Sequence, residues 1–175
     1  MRVTASFDNR SPAYSGDVRT GEATPEHDAD LLLDFLNTID LEEHTDLLDD
    51  AHGWRSWLTA HGLSDGDAAR VRAVRDGLRA AAAGEPASLA GFAVPVEVAG
   101  GVPRLAGAEV TEAVLAAAVR LAVLGEWERV KICPADDCRW AFFDRSRNRS
   151  RTWCSMRVCG NREKARAWRE RTRPE

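Results

Sequence analysis

The chain has 175 residues, 44% hydrophobic and 30% charged, with a formal net charge of −4. That length holds one main core plus a small module, and the composition excludes a disordered or fibrous chain. The most apolar stretch, 110–127, carries Glu112, Arg120 and Glu126 and is too short to cross a membrane.

The net charge hides an asymmetry. Residues 1–128 hold 10 basic and 22 acidic side chains, a balance of −12, whereas 129–175 hold 14 and 6, a balance of +8. A basic segment on an acidic body points to a polyanion-binding end. Because 22 of the basic residues are arginine and only Lys131 and Lys164 are lysine, the placement of arginine carries more information than its identity.

In chain order, residues 1–26 are polar, with Pro12, Gly16, Gly21 and Pro25, and read as a mobile arm. The first residues have no apolar run to serve as a secretory signal, so the expected location is the cytoplasm. Asp28 is the expected cap of a first helix carrying Leu31, Leu32, Phe35 and Leu36 on one side. A second helix is predicted over 45–60, ending at His61 and Gly62, and a third from Ser64 and Asp67 through Ala83, ending at Gly84. Alternating Val94, Val96 and Val98, then Gly100 and Gly101, predict a β-hairpin near 92–105. The segment 108–127 is apolar nearly all round and reads as the buried spine of the first domain. The four histidines, His27, His44, His52 and His61, have no metal spacing and read as surface residues. The eleven carboxylates between Glu22 and Asp50 read as a solvated face, or as a contact for the basic segment.

All four cysteines fall in the last quarter: Cys133 and Cys138, then, after fifteen residues, Cys154 and Cys159. Two short loops presenting paired thiols can converge on one ion, and four thiolates suit a closed, structural zinc site with one zinc per chain. The competing readings are two disulfides or four free thiols; disulfides need an oxidising compartment. Pro134 to Asp137 then form a knuckle, Arg139 to Phe143 a strand, Arg151 to Trp153 its expected partner, and Asn161 caps a final helix. Knuckle, hairpin and helix in that order give a zinc-ribbon or treble-clef-like module. The predicted class is mainly α with a β-hairpin (α+β), divided into an arm 1–26, a helical domain 27–128 and a finger 129–175.

On the final helix Arg162, Arg166, Arg169 and Arg173 recur at i, i+4, i+7 and i+11, one stripe, with Ala165, Trp168 and Thr172 expected to pack on the hairpin. The turn between the cysteine pairs adds Arg145, Arg147, Arg149 and Arg151. Eight arginines on two elements of so small a module favour polyanion binding, DNA or RNA being left open, over a merely solvated face. No glycine-rich phosphate loop, HExxH or serine nucleophile motif is present, and a four-cysteine zinc site has no open position for substrate, so the chain does not read as an enzyme.

The stretch from Arg129 to Arg171, with WCSM at 153–156, FFDRS at 142–146 and the tetrad Cys159, Gly160, Asn161, Arg162, resembles the bacterial CGNR zinc finger. Upstream, LLLDFLNT at 31–38 and Trp57–Leu58 resemble, more loosely, the ABATE-like helical domain that precedes this finger. The resemblance implies a stress-linked transcriptional regulator that binds nucleic acid. Asn37 and Thr38 match that family's first helix, where they would line a pocket for a small-molecule effector, or cap the helix. A protein partner at the N-terminal domain is the other expectation there. The reading from another class is a non-enzymatic adaptor whose zinc-stapled finger docks an acidic protein surface.

Overall fold

The computed structural model describes residues 24–172. The expected arm up to residue 23, and Arg173 of the stripe, lie outside the described residues. Four helices form the body: α1 Pro25–Leu36, α2 Ala51–His61, α3 Ala68–Ala82 and α4 Val110–Val123. Three two-stranded antiparallel ribbons decorate them: β1 Ile39–Asp40 with β2 Thr45–Asp46, β3 Val96–Ala99 with β4 Val102–Leu105, and β5 Val130–Ile132 with β6 Ala141–Phe143. A last helix, α5 Asn161–Arg171, completes the order.

The cap of α1 is Thr24, whose hydroxyl accepts from the His27 amide at 3.3 Å, with Pro25 as first helical residue. Asp28, the expected cap, lies one turn inside, buried, where both its oxygens accept from Arg120 of α4 at 2.8 and 2.5 Å. The predicted second helix also starts later. Asp46 accepts from Leu48 N and Asp50 from His52 N. These side chains satisfy amides locally, so 45–50 becomes a strand and a 3-10 turn, and α2 begins at Ala51. Gly62, left-handed at φ 64°, stops α2 where expected. Asp67 caps α3 through Arg70 N at 3.0 Å.

The α4 spine holds on one side: Val110, Ala113, Val114, Ala117, Ala118 and Leu121 are buried against Leu32, Phe35 and Leu36 of α1 and Val71, Val74 and Leu78 of α3, whereas Val119, Val123 and Leu124, expected inside, are exposed. Its alanines let the neighbouring backbones approach. The hairpin at 96–105 turns through Gly100 and Gly101 at φ 58° and 80°, the positive pair that a two-residue turn demands. It does not join the core, since Val96, Val98 and Val102 are all exposed.

Packing does not pause at residue 129. Val130, Ile132 and Ala141 belong to the same buried cluster as the helices, because β5 lies against α3 and β6 against α1. A second cluster holds Cys133, Ala135, Cys138, Phe142 and Cys159, flanked by Trp140 and Trp153. The partner of 141–143 is not 151–153, as predicted, but 130–132, in the register Val130–Phe143, Lys131–Phe142, Ile132–Ala141. The knuckle itself is this hairpin's turn: Cys133 N donates to Trp140 O at 2.9 Å, and Cys138 N and Arg139 N both donate to Ala135 O at 3.0 Å. Arg139 closes the turn at φ 51°.

Candidate metal centre and basic surface

The four cysteine sulfurs lie within 4.8 Å of one another. Cys138 and Cys154 are 3.5 Å apart, Cys154 and Cys159 3.6 Å. Bonded disulfide sulfurs stand at about 2.05 Å, so all four thiols are free. A tetrahedron of sulfurs around zinc at about 2.3 Å has edges of about 3.8 Å, close to these separations. Burial pushes the Cys138 thiol up to about 12 and the Cys154 thiol higher still, the neighbouring thiols adding to the effect at Cys154. Cys133 is held low, despite burial, by hydrogen bonds from its neighbours. Four thiolates cannot share this space without a cation, and a divalent ion inverts that balance.

Each residue of the CGNR tetrad has a physical task. Cys159 supplies a sulfur. A Cβ on Gly160 would lie 2.6 Å from the tip of the Met156 side chain, which is exposed and free to swing aside, and 3.2 Å from Trp153, so any side chain here requires both neighbours to yield. Asn161 Nδ2 donates back to Arg157 O at 3.3 Å, steadying the wide π turn Met156–Gly160; it is the first residue of α5 rather than its cap. Arg162 pairs with Asp137 in the first knuckle and reaches Glu42 of the body at 3.5 Å.

Asp144 organises the arginine-rich loop. Fully buried, it accepts from Lys131 Nζ at 2.6 Å, Ser146 N at 2.9 Å and Arg151 N at 2.8 Å. Burial opposes its charge, yet those donors hold its carboxyl well below the usual range. Sequence reasoning passed over it, although an acid inside a run of arginines was a visible signal.

Two further residues seat the finger on the body, Asn37 in a role other than the one expected of it and Arg79, which the sequence did not single out. The Asn37 side chain imitates a strand: Nδ2 donates to Ala141 O at 2.9 Å and Oδ1 accepts from Ala141 N at 2.8 Å. Arg79 of α3 donates to Leu36 O at 2.6 Å and Arg139 O at 2.7 Å. Asn37 and Thr38 do line a cleft, but Asn37 binds the finger and Thr38 accepts from buried Arg75 at 3.2 Å while donating to Phe35 O at 2.8 Å.

The arginines divide into two sets. Arg145 meets Asp30 at 3.6 Å; Arg149 meets Glu126 and Glu128 at 3.5 and 3.0 Å; Arg166 meets Glu163 at 2.7 Å. Arg151 donates to the carbonyls of Trp153 and Cys154 and lies over the Phe142 ring. With Arg162, these are tied into the protein. Arg147, Arg157, Lys164, Arg169 and Arg171 are exposed, with no acidic partner among the described residues. The α5 helix has no buried residue, and Trp168, expected to pack on the hairpin, is 60% exposed. The histidines divide too, since His61 is buried beside Asp34 at 3.7 Å rather than on the surface.

Among the described residues no helix is long and apolar enough to cross a membrane. No curated protein matches the chain. Residues 129–172 match the CGNR zinc finger, and residues 29–142 match ABATE, a family described as "Putative stress-induced transcription regulator". The two matches overlap at 129–142, the β5–β6 hairpin that the packing also shares between body and finger; the chain belongs to the ABATE family and carries a CGNR zinc finger.

Proposed function

We propose that this protein is a cytoplasmic nucleic-acid-binding transcriptional regulator whose finger folds around one structural zinc ion held by Cys133, Cys138, Cys154 and Cys159. The observation that carries the reading is the exposed Trp168 on a helix with no buried face, flanked at i−4 and i+3 by Lys164 and Arg171, cations with no acidic partner among the described residues. A cationic groove-facing helix with one exposed aromatic suits phosphates on either side of a stacked or wedged base. Arg147, Arg157 and Arg169 extend the contact to the backbone. Arg145, Arg149, Arg151, Arg162 and Arg166 hold the scaffold and add their charge to its field; Arg173 continues the Arg169 stripe by sequence.

Zinc content by elemental analysis should be one per chain, and chelation should remove the finger's structure together with its binding. Affinity for bulk DNA or RNA should fall steeply with salt. Salt-insensitive or absent binding to both, with tight binding to an acidic protein surface, would instead establish the adaptor reading.

A further inference from the structure

A cleft of about 1150 Å³, open to solvent, lies between α1, the β1–β2 ribbon and α2 on one side and β6 with the loop after it on the other. Six aspartates line it against two arginines. Asp46 and Asp49 are already neutralised by Arg72 and Arg75. On α1, Asp30 and Asp34 stand at i and i+4, like charges on one helix face, which destabilise each other unless a cation joins them. Among the described residues the cation paired with Asp30 is Arg145, 3.6 Å away and itself 66% exposed. Beside Asp34, whose carboxylate lies 3.7 Å from His61, stands an aromatic wall, Trp57 stacked on Trp54 at 5.1 Å and against His61 at 4.1 Å, and Trp140 also lines the cleft. Burial and the Asp30 charge push Asp34 up to about 6, so an added positive charge would favour its ionised form.

We propose that this cleft binds a small organic cation, an ammonium or guanidinium group on an apolar body, with its charge between Asp30 and Asp34 and its body against Trp57. Carboxylates supply the charge, and an aromatic face accepts the polarised C–H and N–H groups around it. A bare metal ion does not suit the site, because among the described residues only the four cysteines bring three or more ligand atoms together. A seated cation competes with Arg145 for Asp30, so occupancy loosens an arginine of the finger's loop. The effector site and the basic surface are thereby joined through one side chain.

The test uses the full zinc-loaded chain without nucleic acid, so its outcome is independent of the nucleic-acid reading. Phenethylammonium, phenethyl alcohol and phenylacetate are titrated in turn, followed by calorimetry and by the tryptophan indole N–H signals, with magnesium chloride as the metal alone. Phenethylammonium should bind, the alcohol about tenfold more weakly, as expected for losing one partly exposed charge pair, and phenylacetate not at all. Asp34→Asn should weaken the ammonium about tenfold without lowering the melting temperature, and Arg145→Gln should tighten it. Equal binding of ammonium and alcohol, no binding of any probe at millimolar concentration, magnesium binding ahead of the ammonium, or indifference to Asp34→Asn would each overturn the proposal.

Discussion

Asp144 accepts three hydrogen bonds inside the finger, and two of its donors, Lys131 Nζ and Arg151 N, share one oxygen. Asparagine must turn its amide N–H toward at least one of these donors. Asp144→Asn should therefore cost about 1–3 kcal/mol, the range for leaving a buried hydrogen-bonding group unsatisfied, read as a lower urea midpoint. Because the folded pKa lies below the unfolded value of 3.8, this contribution is complete at neutral pH and is lost as pH falls below that value. Asp34 and His61 behave differently. Burial, with the charge of Asp30, raises Asp34 to about 6, and burial lowers His61 to about 4; their 3.7 Å contact is thus a carboxylate beside a neutral imidazole at pH 7. Between pH 4 and 6 the folded chain holds more protons at Asp34 than the unfolded one, so that contribution falls as pH rises. At His61 the unfolded chain holds more, so its contribution rises over the same window. Urea midpoints across this range should climb more steeply with pH in Asp34→Asn than in the parent, and less steeply in His61→Gln.

At the scale of elements, α5 is the test piece, because nothing in it is buried. Lys164→Gln with Arg171→Gln should leave zinc content and melting temperature unchanged. The slope of log affinity against log salt should drop by about 0.7–0.9 for each charge removed, the lower figure for single strands. The same change at Arg162 would be uninformative, since Arg162 ties α5 to Asp137 and Glu42. Helix ends were legible where the signal was local: Gly62 stops α2 as expected, although α3 is capped by Asp67 itself, three residues later than the Ser64 start that the sequence suggested. They failed at 45–50, where Asp46 is claimed bidentately by buried Arg75 at 2.7 and 2.8 Å, a partner 29 residues away that no local pattern announces.

At the scale of the molecule, the finger shares its hairpin with the body. A chain stopped at residue 128 uncovers the faces of α1 and α3 that Val130, Ile132 and Ala141 bury. Burying a Val or Ile side chain is worth about 1.5–3 kcal/mol, and two of them approach half of a typical stability of about 5–15 kcal/mol. The truncated chain should show a broadened, lowered thermal transition, whereas a chain stopped after Phe143 should melt more cooperatively. Equal melting curves for the two would mean that β5 and β6 contribute nothing to the body. Asn37 reinforces that seam, its amide bonded to both backbone groups of Ala141.

The sequence by itself determined what depends on spacing and composition: four cysteines as two pairs, a basic end on an acidic body, a spine helix apolar on every side, and glycine turns. Those are one-dimensional patterns with one compact solution each. Only the tertiary structure decided which strand pairs with 141–143, because the knuckle can serve as the hairpin's own turn and the alternation of residues is equally compatible with either partner. It also decided which arginines are spent on the protein. Charge is written in the sequence, but whether a guanidinium meets a carboxylate or water depends on what the fold brings within about 4 Å of it. By that rule Arg149 and Arg162 are tied down, while Lys164 and Arg171, with Trp168 between them, stand in solvent.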